Sequence, residues 1–365
     1  MTYDYLIVGA GFFGATCARE LADAGKRVLV VEKRHHVGGM AATTVVDGIT
    51  TQRHGGHIFH TNSRAVWEFV RRFGEWREYS HHVKATYGDK VFSFPINLMT
   101  LQQIWGEALT PAEARVRLAS YKNGRSDESV RDWCLNHIGP ELYEMFIEGY
   151  TWKQWGRDPA SLPASIVRRL PLRLTWNDEY YDAQFQAMPV SGYSAIVKAL
   201  LAGITLVLGE DFCGRRTFWE RQAPRVIYTG PLDALFGYQA GHLEYRSLRF
   251  ETERIEAPDF QGCATMNYTD RAVPHTRIME WRHFYPAPHV AHTMITREFP
   301  EAHEPGREAY YPVNDTRNTG LHGLYEQLAG QAKNLRWGGR MASYRYLDMD
   351  QTIAAARQLV RQELH

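Results

Sequence analysis

The stretch "YLIVGAGFFGATCARELADAGKRVLVVE", residues 5–32, places three glycines where a backbone could meet an anion. Gly9, Gly11 and Gly14 keep the G-x-G-x-x-G spacing. In that pattern the first glycine permits a tight turn, the second lets a pyrophosphate approach the main chain, and the third lets a helix pack on the preceding strand. The helix N-terminus then faces the phosphates. Glu32 stands eighteen residues after Gly14, at the end of the next apolar run, where its carboxylate can accept from an adenosine ribose hydroxyl and disfavours a 2′-phosphate. Phe13 inside the turn and Lys33 beside Glu32 complete this first set of candidate contacts. Their shared chemistry is the holding of a dinucleotide. The plain alternative is a glycine-rich turn that only packs.

Few other residues offer reactive chemistry by spacing alone. Cys17, Cys134, Cys213 and Cys263 are far apart and make no C-x-x-C pair, which argues against a zinc knuckle, a redox dithiol or a disulfide scaffold. The pairs His35-His36 and His81-His82 give no convergent metal geometry if they lie in strands. No G-x-S-x-G nucleophile elbow occurs.

The elements that must position these residues begin with a strand at 4–9, a helix with Ala15, Ala18, Leu21 and Ala22 on one face, and the strand "RVLVVE". That is a βαβ unit. Residues 98–165 read mainly as helix, with apolar residues three and four apart in "LQQIWGEALTPAEARVRLASY" and "SVRDWCLNHIGPELYEMFIEGY". Between Ala240 and Thr296 the pattern turns to alternating segments, "LEYRSLRFETE", "ATMNYTD" and "HVAHTMITREF", which predict a mostly antiparallel sheet. "DMDQTIAAARQLVRQEL" returns to helix, with Asp348 or Asp350 available as its cap.

The 365 residues carry 42 Lys plus Arg against 41 Asp plus Glu, so no whole-molecule field favours nucleic acid or an anionic membrane as partner. No run is long and apolar enough to span a bilayer, and no membrane insertion is expected. A cytoplasmic protein is expected.

Further segments point to FAD rather than NAD. "EKRHHVGGM" adds Gly38, Gly39 and Met40 after the ribose acid, a second backbone approach similar to that of flavoproteins of the glutathione-reductase type. "VIYTGPLD", with Thr229 and Gly230, resembles a later strand and turn of that fold, and "WGGRMASYRYLDMD" resembles its closing segment. The fold class expected is α/β: a Rossmann-like FAD-binding domain with inserted helical and antiparallel-sheet domains. Its parts are 1–62, 190–235 and 325–365 for FAD, 98–165 for the helical domain with a lid, and 63–97, 166–189 and 236–324 for the sheet domain.

Taken in order, "YDYLIVGAGFFGA", "EKRHHVGG", "GGHIFHT", "EGYTWKQWGR", "LPASIVRRLPLR", "YYDAQFQAMPVSGY", "YTGPLDALF", "VPHTRIMEWRHF", "EAYYPVND" and "GGRMASYRYLDM" resemble the bacterial UDP-galactopyranose mutases over nearly the whole chain. The resemblance implies non-covalent FAD, active when reduced, and interconversion of UDP-galactopyranose and UDP-galactofuranose for cell-surface polysaccharide. The flavin N5 would attack the galactose anomeric carbon, UDP would leave, and the sugar would open to an iminium and reclose with no net redox change. A reductant such as NAD(P)H or a reductase, and a homo-oligomeric assembly, are expected.

Residue by residue, the resemblance makes Arg169 and Arg277 the diphosphate ligands, a role for which a guanidinium fork is suited. Phe146, Tyr150, Thr151 and Trp155 would surround the uridine, Tyr150 stacking on the base and Trp155 riding a lid of about residues 153–171. Tyr180, Tyr311, Tyr346 and Asn267 would meet diphosphate, sugar or base. His57 and His60 would flank the flavin ring as catalytic neighbours, with Arg340, Asp348 and Met349 beside the cofactor. Bland roles compete: Arg168 as a solvated side chain, Trp152 as packing, the tyrosines as a wet-edged core. Gly56 departs from the alanine common in relatives, which loosens the placement of His57. The alternatives are an FAD-dependent oxidoreductase of the amine-oxidase-like fold and a flavin-free carrier protein.

Overall fold

Five short apolar runs pair as parallel strands in the order Thr205–Leu208, Val28–Glu32, Tyr5–Val8, Arg225–Tyr228 and Leu335–Trp337. The inner ones are buried on both faces, which is why they read as continuous rather than alternating hydrophobic runs. This computed structural model describes residues 2–124, 126–168, 172–304 and 306–364. Helix Phe12–Asp23 starts at Gly11 with no side-chain cap, so its first N–H groups are left for another acceptor. The last helix, Met349–Leu364, packs beside it, with the Cys17 thiol 3.8 Å from the Ala356 carbonyl.

The alternating region forms a seven-stranded sheet in the order Tyr311–Pro312, Tyr245–Ile255, Thr293–Ala302, Arg277–Glu280, Thr265–Tyr268, Val83–Tyr87 and Lys90–Phe94. Its neighbours run antiparallel except Thr265–Tyr268 with Val83–Tyr87. A smaller sheet joins Phe59–Thr61, Phe185–Pro189 and Trp76–Glu78.

The first long helical pattern breaks in two, Leu98–Trp105 and Pro111–Ala119. Gly106, at φ +74°, ends one, and a Thr110–Glu113 capping box with Pro111 starts the other. The second pattern becomes Val130–His137, Gly139–Leu142, a π-helical stretch Tyr143–Glu148 and Gly149–Trp155. Widening to a π turn is rare and recurs at functional sites. Gly149 is required where this helix meets the sheet, because a Cβ there would lie 2.5 Å from the Thr269 carbonyl oxygen. One apolar core joins Leu101, Leu118 and Phe146 to the strand residues Val83, Phe92 and Phe94, so the helices and that end of the sheet form one packed body. Among the described residues no helix is long and apolar enough to cross a membrane.

Candidate active site

A cavity of about 1110 Å³ opens at the carboxyl ends of the parallel strands. Its floor is main chain. Gly9 sits at φ +107°, and a Cβ there would lie 2.1 Å from Thr229 Oγ1, which donates to the Val8 carbonyl at 2.7 Å. At Gly14 a Cβ would stand 2.0 Å from the Gly9 oxygen, so the helix can seat only on glycine. The second turn closes on the first: Gly38 N–H donates to Ala10 O at 2.9 Å, and a Cβ on Gly39 would be 3.0 Å from the Gly11 Cα. Two side-chain-free turns beside an uncapped helix start fit a pyrophosphate.

Glu32 is buried in the cavity wall. Ala10 N–H reaches its Oε2 at 2.7 Å, while the Arg34 N–H and Nη1 reach Oε1 at 2.9 and 3.2 Å. A carboxylate has about four acceptor positions, so capacity remains for a ribose hydroxyl. Arg34 also holds Glu308 at 2.5 Å. Lys33, largely exposed, stands at the rim 3.5 Å from Glu308. Phe13, Met40, Gly230, Arg340 and Met349 line the same cavity.

His57 enters the cavity from another wall. Its main chain is gripped by the Gln52 amide: His57 N–H donates to Oε1 at 2.7 Å, and Nε2 of Gln52 donates to the His57 carbonyl at 3.0 Å. The ring Nδ1 lies 2.9 Å from the Gly55 carbonyl oxygen, which can only accept, so Nδ1 carries the proton. Burial and the nearby Arg340 charge push the His57 pKa down to about 3. The imidazole is therefore neutral, with Nε2 as an acceptor. Gly56 has a local reason here: its N–H points at Met279 Sδ at 2.9 Å, and a Cβ would crowd that sulfur at 3.2 Å. His60 lies outside the cavity wall, stacked on Tyr181 at 3.8 Å between centroids, with Nε2 4.0 Å from Asp348 Oδ2. The Asp348 N–H is met by Gln351 Oε1 at 3.1 Å, so Gln351 takes part in starting the last helix.

Arg277 centres a second cluster. Its Nε lies 3.0 Å from Glu298 Oε1, and its Nη2 donates to the Tyr150 hydroxyl at 2.9 Å. Glu298 is only 2% exposed and faces Arg277 directly across two antiparallel strands. Burial works against the guanidinium charge, yet Glu298 and the surrounding tyrosines hold the Arg277 pKa well above its ordinary value. Asn267 is its partner on the other neighbouring strand. Tyr311 and Tyr346 stack 6.1 Å apart, and the Arg340 guanidinium sits 4.4 Å over Tyr346, linking this cluster to the cavity. Tyr180 meets Tyr181 edge-on at 5.0 Å.

Trp155 lines the cavity at the end of its helix, where Gly156 turns the chain at φ +64°. Phe146 and Thr151 are placed differently: both are buried, and Phe146 packs between Phe92 and Phe94 at 5.3 and 6.0 Å. Phe146 thus backs the helix instead of lining the cavity. Arg169 lies outside the described residues. Arg168 is exposed and donates to the Asp127 carbonyl at 2.9 Å, and Trp152 lies under Arg271 at 3.8 Å. Sequence reasoning missed Gln52, Arg34, Glu298 and Glu308. No local pattern singles out Glu298, because its strand Thr293–Ala302 also carries Arg297 and Glu301.

Fold and site together define a Rossmann-type dinucleotide-binding enzyme with an arginine–tyrosine cluster on an attached antiparallel sheet. The sequence profile for UDP-galactopyranose mutase matches residues 145–346, and that for an NAD(P)-binding Rossmann-like domain matches residues 7–73. A probable UDP-galactopyranose mutase of Klebsiella pneumoniae is 40% identical over 358 residues, covering 96% of this chain and 92% of that protein. A dTDP-fucopyranose mutase of Escherichia coli is 36% identical over 365 residues, covering 96% of each. The crystal structure of a reduced UDP-galactopyranose mutase superposes with a TM-score of 0.79 over all of this chain and 94% of that one, at 14% identity, a likeness of fold. The chain belongs to the UDP-galactopyranose mutase family. It is a mutase, an isomerase by class, and its family implies a flavin cofactor.

Proposed function

We propose that this enzyme interconverts UDP-galactopyranose and UDP-galactofuranose, using FAD held in the cavity in its reduced form. The observation that carries this is Arg277, a half-buried cation with Glu298 on one side and a tyrosine cluster on the other, next to a glycine-floored dinucleotide cavity. The two glycine turns hold the FAD pyrophosphate, and Glu32 accepts from its ribose. When bound, reduced FAD supplies a nucleophilic ring nitrogen for the anomeric carbon. Arg340 provides positive charge beside the reduced ring. His57 offers a neutral acceptor at Nε2.

Arg277 binds the substrate diphosphate and, through its fixed fork, steadies the nucleotide as it departs. Arg169 is proposed as the second diphosphate ligand. Tyr150 stacks on the base, and Trp155 closes with residues of the following segment to exclude water. Tyr180, Tyr311, Tyr346 and Asn267 orient diphosphate and sugar. NAD(P)H or a reductase supplies the electrons once, in a cytoplasmic homo-oligomer. A dTDP-fucose substrate is the second reading, supported by the similar identity to the Escherichia coli relative over the same span. Both furanose substrates, offered to the dithionite-reduced and the oxidised protein, test the proposal: isomerisation of the UDP sugar only after reduction supports it.

A further inference from the structure

The helix that carries Tyr150 also carries Lys153, whose ammonium is engaged in an unusual way. Its Nζ donates to four main-chain carbonyls, those of Tyr268 at 2.7 Å, Asp270 at 2.8 Å, Val273 at 2.9 Å and His275 at 3.0 Å. An ammonium has three protons, so four acceptors share them. The Asp270, Val273 and His275 carbonyls belong to the loop joining strand Thr265–Tyr268 to strand Arg277–Glu280, and the Tyr268 carbonyl ends the first of these strands. The loop is wrapped around one cation, and its far end delivers Arg277.

These links close a ring. Lys153 lies three residues after Tyr150 on helix Gly149–Trp155, its head holds the His275 carbonyl, and two residues later Arg277 returns to the Tyr150 hydroxyl at 2.9 Å. Asn267, at the loop's other end, is the cross-strand partner of Arg277. The surrounding backbone has tethers of its own: Thr269 Oγ1 donates to Met145 O at 2.6 Å and to Thr86 O at 2.8 Å. Thr276 is tethered as well, its carbonyl accepting from Tyr268 N–H at 2.8 Å and its N–H donating to Glu298 O at 2.9 Å, so loss of the ammonium would loosen the carbonyls between these tethers while the helix stays docked. Burial pushes the Lys153 pKa down to about 8, which leaves the group mainly charged at pH 7.

We propose that Lys153 is a positioning residue for nucleotide recognition: by gathering the loop carbonyls around its ammonium it fixes the Arg277 guanidinium against Tyr150, and so sets the affinity for a nucleoside diphosphate. This rests on the reading that Arg277 receives the diphosphate. The role is distinct from that of a residue that only stabilises the fold, because its effect must pass through Arg277.

The test is UDP titration of the flavin-loaded protein by calorimetry for the parent, Lys153→Met, Arg277→Met and the double variant. Lys153→Met is expected to weaken UDP by about tenfold, and to add nothing once Arg277 is gone. In Lys153→Ala, n-propylammonium is expected to restore UDP affinity and n-propanol to leave it low. Should Lys153→Met not retain flavin, Lys153→Gln, whose amide serves only two of the four carbonyls, is expected to bind UDP with intermediate affinity. Parent-like UDP binding by Lys153→Met or Lys153→Gln, or full additivity in the double variant, would overturn the inference alone. Unchanged UDP affinity in Arg277→Met would overturn the functional reading beneath it.

Discussion

Replacing Glu298 with Gln isolates the charge that keeps Arg277 in place. The carboxylate is nearly inaccessible, sits 3.0 Å from Arg277 Nε and accepts from Thr276 Oγ1 at 3.1 Å. Gln keeps an acceptor oxygen in that position, removes the charge and turns the second carboxylate oxygen into a donor NH2. A half-buried cation left without its buried counter-charge costs at most about 3–5 kcal/mol, the figure for a fully buried pair. At about 2.1 cal/mol/K per residue, the unfolding entropy of a chain of 365 residues is about 0.8 kcal/mol/K, so the melting midpoint should fall by at most about 4–6 °C. UDP at a hundred times its dissociation constant stabilises a protein by about 2.7 kcal/mol, or about 3 °C here. In Glu298→Gln the diphosphate also relieves the unpaired guanidinium, so the UDP-induced rise should exceed that of the parent. Scanning calorimetry of both proteins, with and without UDP, reads both quantities. An unchanged midpoint in the variant, or a smaller UDP-induced rise than in the parent, would refute the placement of Arg277 as a balanced anion receptor.

Gly9→Ala should lower the flavin-to-protein ratio sharply, since the new Cβ would stand 2.1 Å from Thr229 Oγ1 at φ +107°. Gly25→Ala, at φ +76° with no atom within 4 Å, should cost only backbone strain of about 1–3 kcal/mol and keep its flavin; equal flavin content in the two would show that the cradle is misplaced. Acid should destabilise the protein through its buried neutral histidines. The pKa of His81 is pushed by burial from 6.5 down to about 3, so below about 6.5 the unfolded chain takes up a proton that the folded one refuses until about pH 3. Stability from this group is full above pH 6.5 and lost as the pH falls, by about 2 kcal/mol at pH 5. In urea titrations, His81→Gln should shrink the loss between pH 7 and pH 5 by about that amount; an identical loss would contradict it.

The glycine cradle was legible in the sequence because its demands are steric and local: Gly9, Gly14, Gly38 and Gly39 occupy positions that other residues would block. Glu32 followed from its distance to that turn. The alternating strands were equally plain. Partners brought together across the fold were not, since nothing local links Arg277 to Glu298, twenty-one residues on, or Lys153 to carbonyls of residues 268–275. Backbone carbonyls as ligands leave no trace in side-chain pattern. The break at Gly106 was overlooked because the apolar period continues through it, and the pocket role of Phe146 came from the family resemblance, whereas the side chain is buried in the core.

The most direct measurement is anaerobic incubation of the flavin-loaded protein with UDP-galactofuranose, with and without dithionite, followed by chromatographic separation of the two UDP-galactose isomers. Reduced protein should yield UDP-galactopyranose at equilibrium, oxidised protein should yield none, and reduced Arg277→Met should lose turnover with its flavin retained. Reduced, flavin-loaded protein that leaves the furanose form unchanged would contradict the assignment.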